Sequence, residues 1–311
     1  MLKLILYRLL QGLLVLLIVS LLIFTLLAAA GGDALTALGN DPRVSEETMV
    51  ALRRIYGLDQ PLMARYAQWL AAAAQGGLGH SFYFQAPVAS IIWPRFLRTM
   101  AVATVALIIA WTIALTLGII AARRAGGWVD RVCSALVLLA SSTPRLVLAL
   151  LTLAFAVRTA RFSAGGPTSE LEAGAWLQRL LPPAFVLSCP LVALFLAHTR
   201  ANVGAMLNED FVRVARAKGL PERTILLRHA LRPALGTLIT IFGYSLGGLV
   251  SGSVIVEKVL GWPGLGQLIV IAVESRDVPL LMGAVLVTAT AVLLGNLLAD
   301  ILLRLNDPRL R

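Results

Sequence analysis

The sequence predicts an all-α integral membrane protein with six transmembrane helices, and three observations support that prediction. Of its 311 residues, 59% are hydrophobic and only 14% are charged, whereas soluble domains carry about 25% charged residues. The mean hydropathy is +0.85. Six apolar runs are long enough to cross a hydrocarbon core of about 30 Å. These features exclude a soluble globular domain.

The first apolar run, Leu9 to Ala30, follows Lys3 and Arg8. A cleaved signal peptide is the alternative interpretation, because the run ends in three alanines that could offer a cleavage site. The run is longer than the usual apolar region of a signal peptide, about 7–15 residues. We therefore predict that residues 1–30 form a retained transmembrane helix.

Residues 31–98 form a long polar segment, predicted to be a loop that contains amphipathic helices. Ser45, followed by two glutamates, begins a first helix that Gly57 would end. A second helix ends at the Gly76–Gly77 pair. Its apolar side chains recur at the spacing of one helix face, at Leu62, Tyr66, Trp69, Leu70 and Ala73. His80 has no second His or Cys nearby, so a metal site is not indicated.

Residues 99–304 are predicted to form a core of five helices, followed by a short tail at 305–311. The apolar runs are 99–122, 132–157, 180–198, 235–256 and 282–303. The third run contains the word Ser141-Ser142-Thr143-Pro144-Arg145. Pro144 removes one helix hydrogen bond, and the neighbouring hydroxyls can satisfy the freed carbonyls.

Arg145 lies deep in a predicted span, so it must face protein or water rather than lipid. It could line a substrate path and meet a carboxylate or a polar backbone group, or it could be a paired or snorkelling structural residue. The candidate pathway residues are Ser142, Pro144, Arg145, Tyr244 and Gly248. Glycines recur through the fifth run and either allow close helix approach or wall a pore, at Gly243, Gly247, Gly248 and Gly252.

A polar, basic segment, Glu209–Leu231, separates the fourth and fifth runs. Six cations lie in this segment or just beyond its end, at Arg213, Arg216, Lys218, Arg223, Arg228 and Arg232. Each would cost about 2.5–3.5 kcal/mol in lipid, about 15–20 kcal/mol in total. The segment is therefore expected to lie outside the bilayer. Apolar residues fall at helical spacing after Asp210, at Phe211, Val214 and Ala215. Gly219 is a natural helix end, and Pro221 can begin a second helix. The segment therefore predicts a short helix, a sharp turn and another helix, held at the membrane surface between two spans.

The word FVRVARAKGL (211–220), with LLRHAL (226–231), resembles the EAA-type cytoplasmic loop of bacterial ABC importer permeases, in its peptide/nickel form. Arg213, Val214 and Ala215 stand where the generic motif has Glu-Ala-Ala, and its later proline falls at Pro233, one residue late. Other words resemble the same family in the same order: YGLDQPL (56–62), GGLGHS (76–81) and PGLG (263–266). Gly77 stands where that family usually has an aspartate.

The resemblance implies a type I ABC importer permease fold, with a long first periplasmic loop and a cytoplasmic coupling helix in the loop 201–233. That helix would dock on an ATP-hydrolysing subunit through Asp210, Phe211, Arg213, Val214, Ala215, Arg216, Ala217, Lys218 and Gly219. An outer gate, or a surface for binding-protein docking, would include Pro263, Gly264, Gly266, Arg276 and Asp277. The implied partners are a second homologous permease, two cytoplasmic ATPases that bind ATP and Mg, and an external substrate-binding protein.

No enzyme chemistry is visible in the sequence. It has no GxxxxGK[ST], HExxH or GxSxG motif, so catalytic residues, a metal and a cofactor of its own are not expected. The net charge of +11 sits between apolar spans without a basic–aromatic platform, which argues against nucleic acid. Cys133 and Cys189 lack metal-ligand spacing and are expected to be packing residues.

The charge distribution predicts the orientation in a bacterial inner membrane. With the N-terminus inside, the inner segments hold about 15 Lys and Arg residues, and the outer segments about 5 once the long first loop is set aside. Both termini and the basic segment are then cytoplasmic. The predicted function is the membrane subunit of an ATP-driven importer that moves peptides or a related small solute inward by alternating access. An ion- or proton-coupled secondary transporter and a membrane receptor or assembly subunit without transport are the alternatives.

Overall fold

The computed structural model describes residues 2–29, 59–159 and 173–306, together with residues 47, 50 and 51. The helix predicted between Ser45 and Gly57 lies mostly outside the described residues. The loop at 160–172 and the C-terminal residues 307–311 lie outside them as well.

Helices make up most of the described chain. In order they are α1 (Leu2–Ala29), α2 (Leu62–Ala74), α3 (Val88–Arg123), α4 (Trp128–Ser142), α5 (Arg145–Thr159), α6 (Ala173–Leu207), α7 (Asp210–Ala217), α8 (Glu222–Thr224), α9 (Arg232–Leu260), α10 (Leu265–Glu274) and α11 (Val278–Asn306). A π-helix, Ile225–Leu231, joins α8 to α9. Before α3, strand β1 (His80–Ser81) pairs antiparallel with β2 (Ala86–Pro87), with His80 opposite Pro87.

Five of the described helices are long and apolar enough to cross a membrane. They are Ile5–Ala29, Val88–Arg123, Trp176–Leu207, Glu222–Leu249 and Val278–Asn306. Two further pairs of shorter helices pass the same test only when each pair is taken together, so the number of candidate spans in the described chain is five to seven. The prediction of an all-α membrane protein is confirmed, and the predicted six spans fall within that range.

The third apolar run is not one helix. It is broken at Pro144 into α4 and α5, which meet at 98°, a sharper bend than the loss of one hydrogen bond predicted from the sequence. Thr143 has an extended backbone, with φ −87° and ψ 119°, because the proline ring that follows it disfavours the helical conformation. The predicted hydroxyl contacts are confirmed: Ser141 and Ser142 donate to the Leu138 carbonyl at 3.1 and 2.5 Å, and Thr143 donates to that of Leu139 at 2.7 Å.

Several helices extend beyond the apolar runs from which they were predicted. α3 begins at Val88 instead of Thr99, and α6 continues to Leu207 instead of ending at His198. The predicted start of the basic loop, residue 201, therefore lies within α6. A hydropathy profile detects only the apolar part of a helix, which faces lipid or the protein core. The helix itself continues until a turn or a cap ends it.

One compact unit comprises Thr99–Pro263, Val292–Arg311 and Met1–Leu2. In it α6 packs against α4, α5 and α9. Its core contains the buried Phe195 and Trp262, whose rings contact Trp111 and Trp176 respectively. Small residues allow close helix packing, since a Cβ at Gly243 would lie 2.6 Å from that of Ala299.

The second unit comprises Lys3–Arg98 and Gly264–Ala291. Its core holds side chains of α3, α10 and α11. The predicted amphipathic helix is confirmed as α2, which packs against α1. The Tyr66 hydroxyl lies 2.8 Å from Ser20 Oγ, and its ring centroid is 5.5 Å from that of Phe24. A Cβ at Gly283 would lie 2.8 Å from Val88 Cγ1, so α11 and the start of α3 are in close contact.

Candidate functional site

The segment 209–231, here called the basic elbow, has the predicted short helix, sharp turn and second helix, and the second helix continues through the π-helix into α9. α7 ends in a hydrogen-bonded cap: the Gly219 amide donates to the Arg216 carbonyl at 2.9 Å and the Leu220 amide to that of Ala215 at 3.2 Å. Gly219 has φ +74°, a left-handed conformation that glycine adopts without steric cost. Pro221 then precedes the first residue of α8.

The inner face of the elbow is small and apolar. Val212 and Ala215 of α7 are buried against Ile225 of the π-helix. Phe211 and Val214, which the sequence analysis assigned with Ala215 to the docking surface, are instead 44% and 53% exposed. The two arms of the elbow pack together through Val212 and Ala215. The larger apolar side chains, Phe211 and Val214, therefore stay exposed.

The outer face of the elbow is therefore both apolar and cationic. Phe211, Val214 and Lys218 follow one another at the spacing of a single helix face, and all three are exposed. Arg213 donates to Asp210 at 3.1 Å, and Arg216 donates to Glu222 of α8 at 2.7 Å. The second hydrogen bond raises the pKa of Arg216 and ties the two arms of the elbow together.

Arg145 is the first residue of α5, at the 98° break. Its Nη1 donates to the Gly248 carbonyl of α9 at 3.2 Å. A Cβ at Gly252 would lie only 1.6 Å from this nitrogen, whereas one at Gly248 would meet nothing within 4 Å. Gly252 therefore leaves room for the guanidinium, and Gly248 borders open space.

A polar face runs along α9 towards Arg145. Thr237, Thr240 and Tyr244 are spaced so that they share one side of the helix, and all three are exposed, Tyr244 by 82%. Gly248 continues this side one turn further. Ser142 and Pro144, from the break between α4 and α5, are also exposed. Polar side chains in a membrane-length helix face water or another protein in preference to lipid.

Asp277, a residue of the predicted outer gate, is a buried hub of the second unit. It is completely buried, and its Oδ2 accepts hydrogen bonds from Ser81 Oγ at 2.6 Å and from the Tyr83 amide at 3.0 Å. Its Oδ1 accepts from the Leu280 amide at 3.1 Å and so caps the first turn of α11. Gly264 and Gly266 are buried too, whereas Arg276 is exposed.

Two family models match almost the whole chain. The model described as binding-protein-dependent transport system inner membrane component matches residues 114–311. Its counterpart for the N-terminal part of such membrane components matches residues 1–103. The chain belongs to this family of permeases.

The permease is also similar over its full length to individual proteins. It is 39% identical to a putative peptide permease protein of Brucella suis biovar 1, over 100% of this chain and 99% of that protein. It is 34% identical to the oligopeptide transport system permease protein AppB of Bacillus subtilis, over 97% of each chain. A probable peptide ABC transporter permease protein of Sinorhizobium fredii is 32% identical, over 99% of this chain and 98% of that protein.

Membership confirms the resemblance inferred from the basic elbow and makes the permease a transport subunit and not an enzyme. It is a multi-pass inner membrane protein that works with a substrate-binding protein, and ATP is hydrolysed by separate ATPase subunits. Within the described ranges, no group of three or more His, Cys, Asp or Glu side chains is placed to hold a metal ion. Cys133 is buried, Cys189 is half-buried, and both are free thiols.

One ion pair of the permease was missed by the sequence analysis. Arg200 of α6 contacts both carboxylate oxygens of Asp130 in α4, at 2.5 and 3.0 Å, and also donates to Ser134 Oγ at 2.6 Å. The Gly126 amide donates to the same carboxylate at 2.9 Å. The sequence did contain a signal for this pair, because Asp130 just before the third run and Arg200 just after the fourth run carry opposite charges. The pair fixes the loop before α4 to the helix that leads into the basic elbow.

Proposed function

We propose that the permease forms one half of the transmembrane pathway of an ATP-driven peptide importer, and that its basic elbow receives the movement of the ATPases. The observation that carries this proposal is the elbow itself. It is braced internally by buried apolar contacts and by the Arg216–Glu222 ion pair, yet it exposes Phe211 and Val214 to solvent. Exposed apolar side chains surrounded by cations are typical of a docking surface.

Docking on the ATPase would use the outer face of α7. Phe211 and Val214 supply apolar contact, while Arg213, Arg216 and Lys218 suit an acidic rim. Val212 and Ala215 are buried within the elbow, so they support this surface without contacting the partner. ATP and Mg would be bound by the ATPases, because this sequence has no phosphate-binding loop.

The polar face of α9 supports a pathway shared with a second permease. Thr240 and Tyr244 are exposed in this subunit, and the phenol of Tyr244 favours water or a protein partner over lipid. A second, homologous subunit that covers this side would enclose the two polar faces around a common path. The residues we assign to the path are Ser142, Pro144, Arg145, Tyr244 and Gly248.

The positive-inside rule orients the permease with both termini and the basic elbow in the cytoplasm. The substrate-binding protein would then approach from the periplasm, where the exposed Arg276 is a candidate contact and Pro263, Gly264 and Gly266 shape the neighbouring turn. Peptides are the proposed cargo, because the relatives from Brucella, Bacillus and Sinorhizobium are named as peptide or oligopeptide permeases.

Reconstitution tests this function. The permease, purified with its partner subunits and placed in vesicles, is expected to accumulate labelled tri- to pentapeptides only when ATP and the binding protein are present. A non-hydrolysable ATP analogue is the control and should abolish uptake. Uptake by this chain alone along an ion gradient would indicate a secondary transporter. The absence of uptake by the complete assembly would indicate a receptor or assembly subunit, and either result contradicts the proposal.

A further inference from the structure

The guanidinium of Arg145 is held in place, and it has no carboxylate partner among the residues that the structure describes. The ion pairs of the permease core involve other cations, such as Arg200 with Asp130. Arg145 makes one hydrogen bond, from Nη1 to the Gly248 carbonyl. A guanidinium has five N–H donors, so most of its hydrogen-bonding capacity remains available. The charge of this cation is therefore uncompensated by any carboxylate in the described ranges of the chain.

Arg145 lies far from the basic elbow. α4 has 15 residues and is about 22 Å long, so the break that carries Arg145 is about that far from the loop at Gly126. Gly248 lies 16 residues beyond Arg232, which is about 24 Å along α9. These distances separate the Arg145 guanidinium from the basic elbow by about four turns of α9.

The position of the guanidinium is fixed by the backbone of α9. At Gly252 a Cβ would lie 1.6 Å from Nη1 and 2.6 Å from Cζ, so any larger residue there would displace the arginine head. The break at Thr143–Pro144 sets where the side chain leaves α5. A charge held by two separate helices is preorganised for binding, since little side-chain entropy is lost when a ligand arrives.

The surroundings of Arg145 are open and polar. Ser142 and Pro144 beside it are exposed, and Tyr244 is 82% exposed one turn before Gly248. The Tyr244 hydroxyl has no hydrogen-bond partner in the described part of the chain, so it can serve a passing ligand. Arginine suits a planar anion, because a guanidinium can donate two parallel hydrogen bonds to one carboxylate.

We infer that Arg145 binds a carboxylate of the transported solute, namely the free C-terminal carboxylate when the solute is a peptide. This inference rests on the proposed transport function and adds the chemical class of the group that is recognised in the membrane. The carboxylate would occupy the open side of Arg145, between Ser142 and Tyr244, while the Gly248 carbonyl keeps hold of Nη1. An acidic residue of the second permease is the competing partner for the same guanidinium.

The experiment compares two forms of one peptide, with a free C-terminal carboxylate and with a C-terminal amide, in vesicles that contain the complete importer. The peptide is chosen so that the wild-type importer takes up both forms. Arg145→Gln is expected to lower uptake of the acid form about tenfold, the size of effect expected for a lost charge-assisted hydrogen bond, and to leave amide uptake within twofold. Because the binding protein is the same throughout, its own preference cancels in the comparison of variant with wild type.

A matched pair of glycine variants separately tests the niche, which is the space at Gly252 that admits the Arg145 guanidinium. Gly252→Ala should displace the guanidinium and lower uptake of the acid form selectively. Gly247→Ala places the same methyl group on the same helix, where it meets Val292 Cγ1 at an ordinary 3.4 Å, and should behave as wild type.

Each result decides between the alternatives. Equal losses for the acid and amide forms in Arg145→Gln would overturn the inference and indicate a structural pair with the second permease. Unchanged uptake of both forms would overturn it as well. In either case the proposed function stands, because wild-type uptake is intact. Failure of the wild-type importer to take up any peptide would instead overturn the proposed function, and this inference with it.

Discussion

Asp277 shows how one buried carboxylate can organise several backbone segments. Its two oxygens accept hydrogen bonds from Ser81, Tyr83 and Leu280, which lie in the hairpin before α3 and at the start of α11. The preceding residue, Arg276, has φ +53°, a conformation that a non-glycine residue adopts at some cost. The hydrogen bonds of Asp277 offset this cost by holding the turn in place.

We therefore expect Asp277→Ala to destabilise the permease by about 3 kcal/mol, because buried donors that lose their acceptor cost about 1–3 kcal/mol each. The thermal unfolding midpoint in detergent, followed by tryptophan fluorescence, measures the effect. Asp59→Ala is the matched control, since Asp59 is an exposed aspartate of the same unit. Equal midpoints for the two variants would show that the hub does not stabilise the fold.

At the level of helices, the basic elbow depends on the left-handed conformation of Gly219. The cap that ends α7 uses the Gly219 and Leu220 amides, and it directs the chain back so that Ile225 covers Val212 and Ala215. The exposed position of Phe211 follows from this fold-back. The elbow can transmit a displacement from the ATPase because its two arms are joined. The joining contacts are the buried Val212–Ala215–Ile225 cluster and the Arg216–Glu222 ion pair.

Gly219→Pro is expected to uncouple ATP hydrolysis from uptake while membrane insertion stays intact. Proline fixes φ near −65° and lacks the amide hydrogen, so it can neither adopt φ +74° nor donate to the Arg216 carbonyl. We expect uptake to fall at least tenfold in the reconstituted importer, with ATPase activity retained but no longer stimulated by the loaded binding protein. Gly219→Asn is the control, because asparagine tolerates the left-handed region, and it should retain most uptake. Wild-type uptake by the proline variant would remove the elbow from the coupling path.

The helices and the elbow could be predicted because their signals are local. Apolar runs mark the spans, and Gly219 and Pro221 mark the turn. The 98° break could be anticipated only as a kink, because the extended conformation of Thr143 depends on the proline and on how the surrounding helices pack. Which side of α7 is buried could not be predicted, because the burial of Val212 and Ala215 depends on their contact with Ile225 of the π-helix. The Arg200–Asp130 pair and the niche at Gly252 required distances between separate helices, which one sequence does not provide.

For the whole molecule, the main consequence of the fold is that one helix, α9, begins at the basic elbow and extends past Arg145. α9 has 29 residues and is about 43 Å long, enough to cross the hydrocarbon core and both polar interfaces. It begins directly after the elbow, passes the Arg145 niche at Gly248 and Gly252, and ends at Gly261, where φ is +67°. If the ATPases displace the elbow, we expect the movement to reach the proposed carboxylate site along α9.

This arrangement predicts that residues 217 and 258 lie on opposite sides of the membrane. In a background with Cys133 and Cys189 replaced by alanine, a cysteine introduced as Ala217→Cys should react with a membrane-impermeant maleimide only after the cells are opened. Lys258→Cys should react in intact cells, because position 258 lies in the last turn of α9 and is exposed. Uptake by both variants is the control for correct insertion. Labelling of residue 217 in intact cells would place the elbow outside, where no cytoplasmic ATPase could reach it, and the proposed mechanism would fail.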